Sequence, residues 1–233
     1  MAINAFDILT LDLPAFIIGI GIHEFAHAWT ADKLGDSTPR SEGRVSLNLF
    51  RHLDPLGVAL PMILSYFGSP LNFGWGKPVR FNPENFGKPM RDYGLTALAG
   101  PLSNLLLCIA IGIFLQQFPT SPRLLAFATS FTGNYFFRLL FRVFIFNMGL
   151  FIFNILPIPP LDGSKILSWL GGRKVKAFMD RIQIYSFFIL IMFLFLKLDE
   201  KFLLPVFAKL TSLLCGPMAK YLFNPAQFIA DNL

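Results

Sequence analysis

Two histidines and a glutamate lie within an apolar stretch near the start of the chain, in the sequence HEFAH. Residues four apart share one face of an α-helix, so His23 and His27 can bind one Zn²⁺ ion together. Glu24 beside them can act as a general base towards water on that metal. The alternative is a pair of core histidines that hydrogen-bond between helices. Because a charged side chain near the centre of a bilayer costs roughly 2.5–3.5 kcal/mol, the pattern favours a metal-binding or catalytic role over a purely structural one.

The composition indicates that these residues lie in an integral membrane protein. Hydrophobic residues make up 54% of the 233 residues and charged residues only 15%, whereas soluble domains average about 25% charged residues. The formal net charge of +6 is explained better by basic loops on one side of a membrane than by nucleic acid. We therefore expect a lipid bilayer and no nucleic acid as a partner, and a homo-oligomer is left open.

Long apolar segments predict an all-α polytopic membrane protein with about five to six transmembrane helices, since a spanning helix needs about 20 mostly apolar residues. Residues 56–67 are too few for a span and include Pro61, which favours a re-entrant or interfacial segment after the first span. We expect a single domain over residues 1–233. Its core spans are predicted at residues 13–31, 93–118 and 135–156, the last continuing to 162, and its accessory C-terminal helices at 182–198 and 202–215.

Between the first two core spans the sequence takes on a pattern typical of strands. Val45, Leu47 and Leu49 alternate with polar residues, which is the two-residue period of a half-buried strand. A second extended piece is predicted at residues 79–81. The two together predict a small membrane-associated β element.

The distribution of basic residues predicts the orientation in the membrane. Eight lysines and arginines lie in residues 33–91 and five in residues 165–181, whereas the N-terminal tail has none. The positive-inside rule then places the N-terminus outside and the HEFAH end of the first span towards the cytoplasm, in a multi-pass protein of the cell membrane. Arg138 and Arg142 would lie near the outer interface and count against this orientation, although long arginine side chains can extend to the interface.

A catalytic zinc ion usually has three protein ligands, so a third ligand is needed. Asp162 follows the third span within the proline-rich sequence NILPIPPLDG. Its alternative role is to cap the next helix. His52 lies in a basic loop, where we expect it to be solvated or interfacial. Topology favours Asp162, because the first and third spans run parallel and their cytoplasmic ends can meet.

Three stretches, HEFAH, AGPLSN and NILPIPPLDG, together resemble the site-2 protease family of intramembrane zinc metalloproteases. They occur in the order and on the spans that this family uses, and the resemblance covers about residues 16–167, in a short prokaryotic form. It implies that His23, His27 and Asp162 bind one zinc ion and that Glu24 is the general base. We expect neither a PDZ insert nor a CBS extension, so recruitment of substrates through such modules is not implied.

The same resemblance implies a transition-state role for Asn154 and a substrate-gating or helix-contact role for the stretch that includes Asn104. The predicted function is hydrolysis of peptide bonds in or near transmembrane segments of membrane proteins. A helical substrate must unwind before cleavage, and we expect Val45 and Leu47 to offer a strand edge on which it could pair.

Three other functions fit part of the pattern. A proton-coupled transporter would also bury histidine and carboxylate side chains, but it predicts inverted repeats, which the sequence does not show. A prenyl-protein metalloprotease would share HEFAH but use a glutamate as the third ligand, and Glu42, Glu84 and Glu200 lie in loops or at span edges. A non-catalytic metal-binding scaffold would have no need of Glu24.

Overall fold

The computed structural model describes residues 5–67, 74–118 and 120–222 and is almost entirely helical. Within these residues no sheet forms, and one isolated antiparallel bridge joins Leu53 to Gly76. The helices in chain order are α1 (Ala5–Lys33), α2 (Thr38–Ser41), α3 (Pro55–Tyr66), α4 (Pro89–Leu115), α5 (Pro122–Thr129), α6 (Phe131–Asn154), α7 (Asp162–Ile182), α8 (Ser186–Phe195) and α9 (Leu204–Cys215).

In the part of the chain that the structure describes, four helical stretches are long and apolar enough to cross a membrane: Ala5–Lys33, Pro89–Leu115, Thr132–Asn154 and Asp199–Tyr221. The first three overlap the predicted core spans, and the last joins α9 to a π-helical and a 3-10 segment at its two ends. An all-α membrane protein is therefore confirmed, whereas the predicted number of five to six spans is not. The accessory span predicted at residues 182–198 differs most, because a 3-10 turn at Gln183–Tyr185 leaves the following helix α8 with ten residues.

The predicted β element does not form in the described part of the chain. Residues 43–48 make a loop that ends in the 3-10 turn Leu49–His52, and residues 77–82 run without a strand partner. The side chain of Asn48 accepts a hydrogen bond from the N–H of Phe50 and so turns the chain where a strand would continue. Leu49 packs against Gly21 of α1. The alternation of apolar residues therefore reflects a loop that lies on a helix.

Proline and capping residues set several helix boundaries. Asp54 accepts hydrogen bonds from the N–H groups of Leu56 and Gly57 at the start of α3, and Pro55 occupies its first turn. Helix α3 has 12 residues, too few to span a bilayer, in agreement with the expected short segment after the first span. Helix α6 ends at Asn154 rather than continuing to residue 162, because the next residues include three prolines.

The core lies between α4, α6 and the last span. Phe137, Phe141 and Phe144 of α6 are fully buried, and the ring centroid of Phe137 lies 4.7 Å from that of Phe141 and 5.0 Å from that of Phe118. Cys108 of α4 and Cys215 of α9 are buried in the same cluster as free thiols. This core holds α6 against α4, while α1 packs along the rest of α4 and carries HEFAH with it.

Candidate metal centre

His23, His27 and Asp162 converge at the junction of α1, α4 and α7, and we call them the metal triad. Their possible ligand atoms all lie within 4.8 Å of one another. Nε2 of His23 lies 3.0 Å from Nε2 of His27, and Oδ2 of Asp162 lies 3.2 and 3.1 Å from these two nitrogens. All three residues are at least 94% buried, since their exposed fractions are 6, 5 and 6%.

Both imidazoles are oriented by hydrogen bonds from the ring nitrogen that faces away from the triad. Nδ1 of His23 donates to the side-chain oxygen of Asn104, and Nδ1 of His27 donates to the backbone carbonyl of Thr96, each at 2.7 Å. With the proton on Nδ1, each neutral ring presents the lone pair of Nε2 to the triad. Buried hydrogen-bond partners of this kind fix the tautomer of metal-binding histidines.

The orientation of the Asn104 amide is set by its own neighbours. Its nitrogen donates to the carbonyl of Gly19 at 3.1 Å and to the side-chain oxygen of Asn147 at 2.7 Å. The Asn147 amide in turn donates to the carbonyl of Val143 on α6. These hydrogen bonds fix the orientation of both amides, so the side-chain oxygen of Asn104 faces His23.

One stripe of α4 supports the two histidines. Thr96, Gly100 and Asn104 recur every four residues, so they share a face of the helix. A Cβ at Gly100 would lie 2.3 Å from Nε2 of His27 and 2.7 Å from Cε1 of His23, which leaves no room for any side chain. Asn104 and Gly100 lie in the AGPLSN stretch, but the role of Thr96 was not predicted, because a backbone carbonyl leaves no signal in the sequence. The four-residue spacing is the signal that could have revealed the stripe.

The chain turns tightly to bring Asp162 to the histidines. Asp162 is the first residue of α7, and a Cβ at Gly163 would lie 2.2 Å from the carbonyl oxygen of Ile155, so only glycine fits there. Further along, Gly94 of α4 packs against the Trp169 side chain and fixes α7 on α4. The second carboxylate oxygen of Asp162 lies 3.0 Å from Nζ of Lys165.

The geometry of the triad fits a metal ion. In a tetrahedral zinc site with bonds of about 2.0–2.1 Å, ligand atoms lie about 3.3 Å apart, slightly farther than the three separations found here. Two imidazole lone pairs and a carboxylate oxygen all face one another, and acceptors at such distances repel unless a positive charge lies between them. The donor set of two histidines and one carboxylate is that of a catalytic zinc site.

Glu24 lies next to the triad and faces a loop. Its Oε2 accepts a hydrogen bond from the backbone N–H of Val79 at 3.1 Å. A Cβ at Gly76 would lie 3.2 Å from Cγ of Glu24 and 2.5 Å from the Ile20 side chain, so a glycine allows residues 74–79 to approach α1 closely. This segment orients the carboxylate without occupying both of its oxygens.

Arg44 ties the same segment to the loop before α3. The guanidinium donates to the backbone carbonyls of Arg51 and Lys77, and the residue is 3% exposed. Burial lowers the pKa of Arg44, and the nearby Glu24 carboxylate opposes that shift. The two loops therefore form one cover over Glu24.

His52 is fully buried in this cover, so the expectation that it is solvated or interfacial is wrong. One of its ring nitrogens lies 2.9 Å from the carbonyl of Ser46. Burial lowers the pKa of His52, with the hydrogen bond to Ser46 acting in the opposite direction, so the ring is neutral at pH 7. The prediction failed because the basic residues near His52 in the sequence are typical of an exposed loop.

The other predicted site residues either lie away from the triad or make contacts different from those expected. Asn104 is fully buried behind His23, where it orients the imidazole, so the structure does not place it at a surface that binds substrate. Asn154 donates to the carbonyl of Leu150, one turn back on its own helix. Val45 is half-buried and Leu47 is 78% exposed, and both lie in the loop that replaces the predicted strand.

The glutamates considered as rival third ligands do not join the triad. Among the described residues, the group able to hold a metal is made of His23, His27 and Asp162. Glu200 instead pairs with Lys197 at 3.4 Å. The third ligand atom in reach of the histidines is therefore an aspartate oxygen.

Comparisons with known proteins identify the family to which the chain belongs. The model of peptidase family M50 matches residues 13–196. The chain is 36% identical over 191 residues to the putative zinc metalloprotease YwhC of Bacillus subtilis, an alignment that covers 82% of each protein. It is 27% identical over 157 residues to the putative zinc metalloprotease Rip2 of Mycolicibacterium smegmatis, covering 67% of this chain and 55% of that protein. No solved structure matches the chain.

The names of both relatives specify zinc, and the metal triad is positioned to bind this ion. The residues matched by the family model include the whole triad and Glu24. The chain therefore belongs to peptidase family M50 and is a membrane metalloprotease that uses zinc.

Proposed function

We propose that this protein is an intramembrane endopeptidase that hydrolyses peptide bonds in or near transmembrane segments of other membrane proteins. The observation that carries the proposal is the buried metal triad with Glu24 beside it. His23 and His27 lie on α1 and are held by α4, two helices that are apolar enough to cross a bilayer, and Asp162 meets them from the start of α7. Such a site can meet a substrate that is itself in the membrane. A transmembrane substrate must expose its peptide bond by unwinding, so we expect helix-breaking residues near the cleavage site.

His23, His27 and Asp162 would hold the zinc ion through Nε2, Nε2 and one carboxylate oxygen. When bound, zinc supplies Lewis acidity that activates water as a nucleophile near neutral pH and polarises the substrate carbonyl. Glu24 would accept the proton of the attacking water and deliver it to the leaving nitrogen. The N–H of Val79 holds one oxygen of Glu24, which leaves the other oxygen for this proton transfer.

Asn154 would donate a hydrogen bond to the oxyanion that develops during attack, as the resemblance to site-2 proteases implies. Its amide would have to leave the carbonyl of Leu150 to do so. Val45 and Leu47 would contact the unwound substrate from the loop beside Glu24, and the exposure of Leu47 supports such a contact. Because no strand forms there, we propose side-chain contact rather than pairing along a strand edge.

We also propose that the protein lies in the cell membrane with its N-terminus outside and the zinc site towards the cytoplasm. The support is the clustering of basic residues in residues 33–91, which follow the HEFAH end of α1, and in residues 165–181 of α7, which the positive-inside rule assigns to the cytoplasm.

The test combines metal content and proteolysis on the protein purified in detergent. We expect about one zinc ion per chain in the wild type and in Glu24→Gln, and loss of zinc in Asp162→Ala. Glu24→Gln should cleave a single-span substrate at least about 100-fold more slowly, because general-base catalysis contributes roughly 10²–10⁴-fold. Glu42→Gln, the same change at an exposed loop position, is the matched control and should retain full activity.

Three results would overturn the proposal. Wild-type protein that is folded but free of zinc would remove the metal chemistry. Zinc-loaded Glu24→Gln that cleaves as fast as wild type would remove the general base, and zinc binding without any cleavage of membrane substrates would favour a scaffold.

A further inference from the structure

The two carboxylate oxygens of Asp162 have different neighbours. Oδ2 faces both imidazoles of the metal triad, whereas Oδ1 lies 3.0 Å from Nζ of Lys165. Lys165 is three residues further along, in the first turns of α7, so helix geometry holds its side chain beside the aspartate. The Asp162 side chain is 8% exposed and that of Lys165 is 29% exposed, so the pair is shielded from water mainly on the aspartate side.

This pair differs from an ordinary helical ion pair on the same helix. Lys176 and Asp180 also form an ion pair, at 2.6 Å, but their side chains are 50 and 56% exposed. Exposed pairs of this kind contribute little, because water solvates both charges and both side chains lose freedom. At Lys165 the partner is a buried carboxylate whose other oxygen faces the two imidazoles, so the two oxygens of Asp162 are engaged by different groups.

A carboxylate can bind a metal through one oxygen or through both, and the difference changes the coordination number. A catalytic zinc site needs a position that the protein leaves open. If both oxygens of Asp162 bound the ion, that extra bond would compete with water and with the substrate carbonyl. An ammonium group on Oδ1 would prevent this, because Oδ1 accepts a hydrogen bond from Nζ of Lys165 and is then engaged away from the two imidazoles.

We propose that Lys165 is a positioning residue that restricts Asp162 to one-oxygen binding of the metal and so preserves the open coordination position. The inference rests on the proposed zinc site and adds a residue that neither the HEFAH motif nor the triad contains.

The test is the visible spectrum and metal affinity of the detergent-purified protein loaded with Co²⁺ in place of zinc. Four-coordinate Co²⁺ absorbs visible light more strongly than five- or six-coordinate Co²⁺. We expect Lys165→Met to release Oδ1, raise the coordination number and weaken the absorption roughly two- to threefold, since geometry is diagnostic of coordination. The affinity for zinc in competition with a chelator should fall about 10-fold, the smaller end of what loss of a hydrogen-bonded ligand partner costs.

Lys165→Arg keeps a cation with a donor and should give a spectrum and an affinity close to those of the wild type. Lys176→Met is the matched control on the same helix and should change neither. If Lys165→Met does not fold, as judged by gel filtration, Lys165→Leu, which also lacks a hydrogen-bond donor, is used for the same two measurements.

The outcomes separate this inference from the proposed function. Wild-type protein that binds neither Co²⁺ nor zinc would overturn the zinc site itself and this inference with it. Wild-type protein that binds Co²⁺, with an unchanged spectrum and affinity in Lys165→Met or in its substitute Lys165→Leu, would overturn the role of Lys165 and leave the zinc site intact.

Discussion

Two groups of charged and titratable side chains lie along the first span, and they differ in how their charges are balanced. Near the start of α1, Asp7 pairs with Arg138 at 2.6 Å and Asp12 with Arg142 at 3.2 Å. Each carboxylate there meets one guanidinium of α6. Near the other end, the metal triad brings two imidazole lone pairs and a carboxylate oxygen together, with Lys165 as the neighbouring cation.

The difference distinguishes polar groups that stabilise the fold of apolar helices from polar groups that can bind a ligand. The four side chains of the ion pairs are 26–47% exposed and satisfied by each other, so they need no further ligand. Every side chain of the triad is at most 8% exposed, and the acceptors in it outnumber the positive charges. A buried group of converging acceptors requires a cation, whereas a row of matched pairs does not.

Among changes outside the triad itself, Gly100→Ala should affect the triad most. Its Cβ would lie 2.3 Å from Nε2 of His27, a ligand atom with no freedom to move because its Nδ1 is held by Thr96. We expect zinc affinity to fall by at least about 100-fold, the upper end of the cost of disturbing a ligand's support, and proteolysis to fall with it. Metal analysis after dialysis against a chelator measures the first effect.

Gly149→Ala is the matched control for Gly100→Ala. The site lies on α6, and a Cβ there would have no atom within 4 Å. Zinc content should equal that of the wild type. Zinc retained by Gly100→Ala would mean that the two histidines do not bind the ion in the arrangement described here.

Asn104→Ala tests the hydrogen bond behind His23. Without the amide oxygen, Nδ1 of His23 loses its partner and the ring can adopt the other tautomer. We expect zinc affinity to fall about 10- to 100-fold, as for other hydrogen-bond partners of metal ligands. Titration with a competing chelator gives the affinity. The ion pairs near the start of α1 should be unaffected. A fall in zinc affinity that is accompanied by a large fall in melting temperature would argue for general unfolding instead.

The sequence was sufficient to predict that His23, His27 and Asp162 come together, because the spacing and depth of these residues follow from helix geometry. HEFAH places two imidazoles on one face, and the charge distribution placed Asp162 at the same end of the parallel span. The proposed positioning residues were harder to find. Asn104 was predicted only through the AGPLSN stretch, with a substrate-gating or helix-contact role that did not include orienting His23. Thr96 acts through a carbonyl that every residue possesses.

The loops were predicted less well than the helices for a physical reason. A two-residue alternation of apolar side chains is shared by strands and by irregular segments that lie on a helix, and only a partner strand distinguishes them. Residues 43–50 have no such partner among the described residues and pack on α1 instead. His52 was expected to be solvated from its basic neighbours, but Arg44 beside it is buried too and binds carbonyl groups.

Asp36 is a third kind of buried carboxylate, which has neither a metal nor an ion pair. It accepts hydrogen bonds from the backbone and side chain of Thr38, the backbone N–H of Asn82 and the side chain of Asn85. Burial alone would raise the pKa of Asp36, but these hydrogen bonds outweigh it and hold the pKa below the usual value of 3.8. Because the folded pKa lies below the unfolded one, this carboxylate stabilises the fold above about pH 4 and loses that effect as the pH falls through the folded pKa.

Asp36→Asn should therefore destabilise the protein by about 1–3 kcal/mol at pH 7, since donors that faced a carboxylate would face an amide nitrogen. The difference in melting temperature from the wild type should shrink as the pH is lowered below 4. Zinc content at pH 7 should not change. Asp180→Asn makes the same chemical change at an exposed position and should have little effect at any pH. A difference that grows towards low pH would contradict the sign of the pKa shift.

The smallest effect is expected from the ion pairs of the first span, and a double-mutant cycle on Asp7→Asn and Arg138→Gln measures it. Both side chains are partly exposed, at 26 and 34%, so solvent screens the attraction, and we expect a coupling energy of at most about 1 kcal/mol. Zinc content and proteolysis should equal those of the wild type in all three variants. A coupling of about 3–5 kcal/mol would instead be typical of breaking a fully buried pair. Loss of zinc in these variants would mean that the ion pairs at one end of α1 support metal binding at the other end. The ion pairs and the triad would then not be functionally distinct.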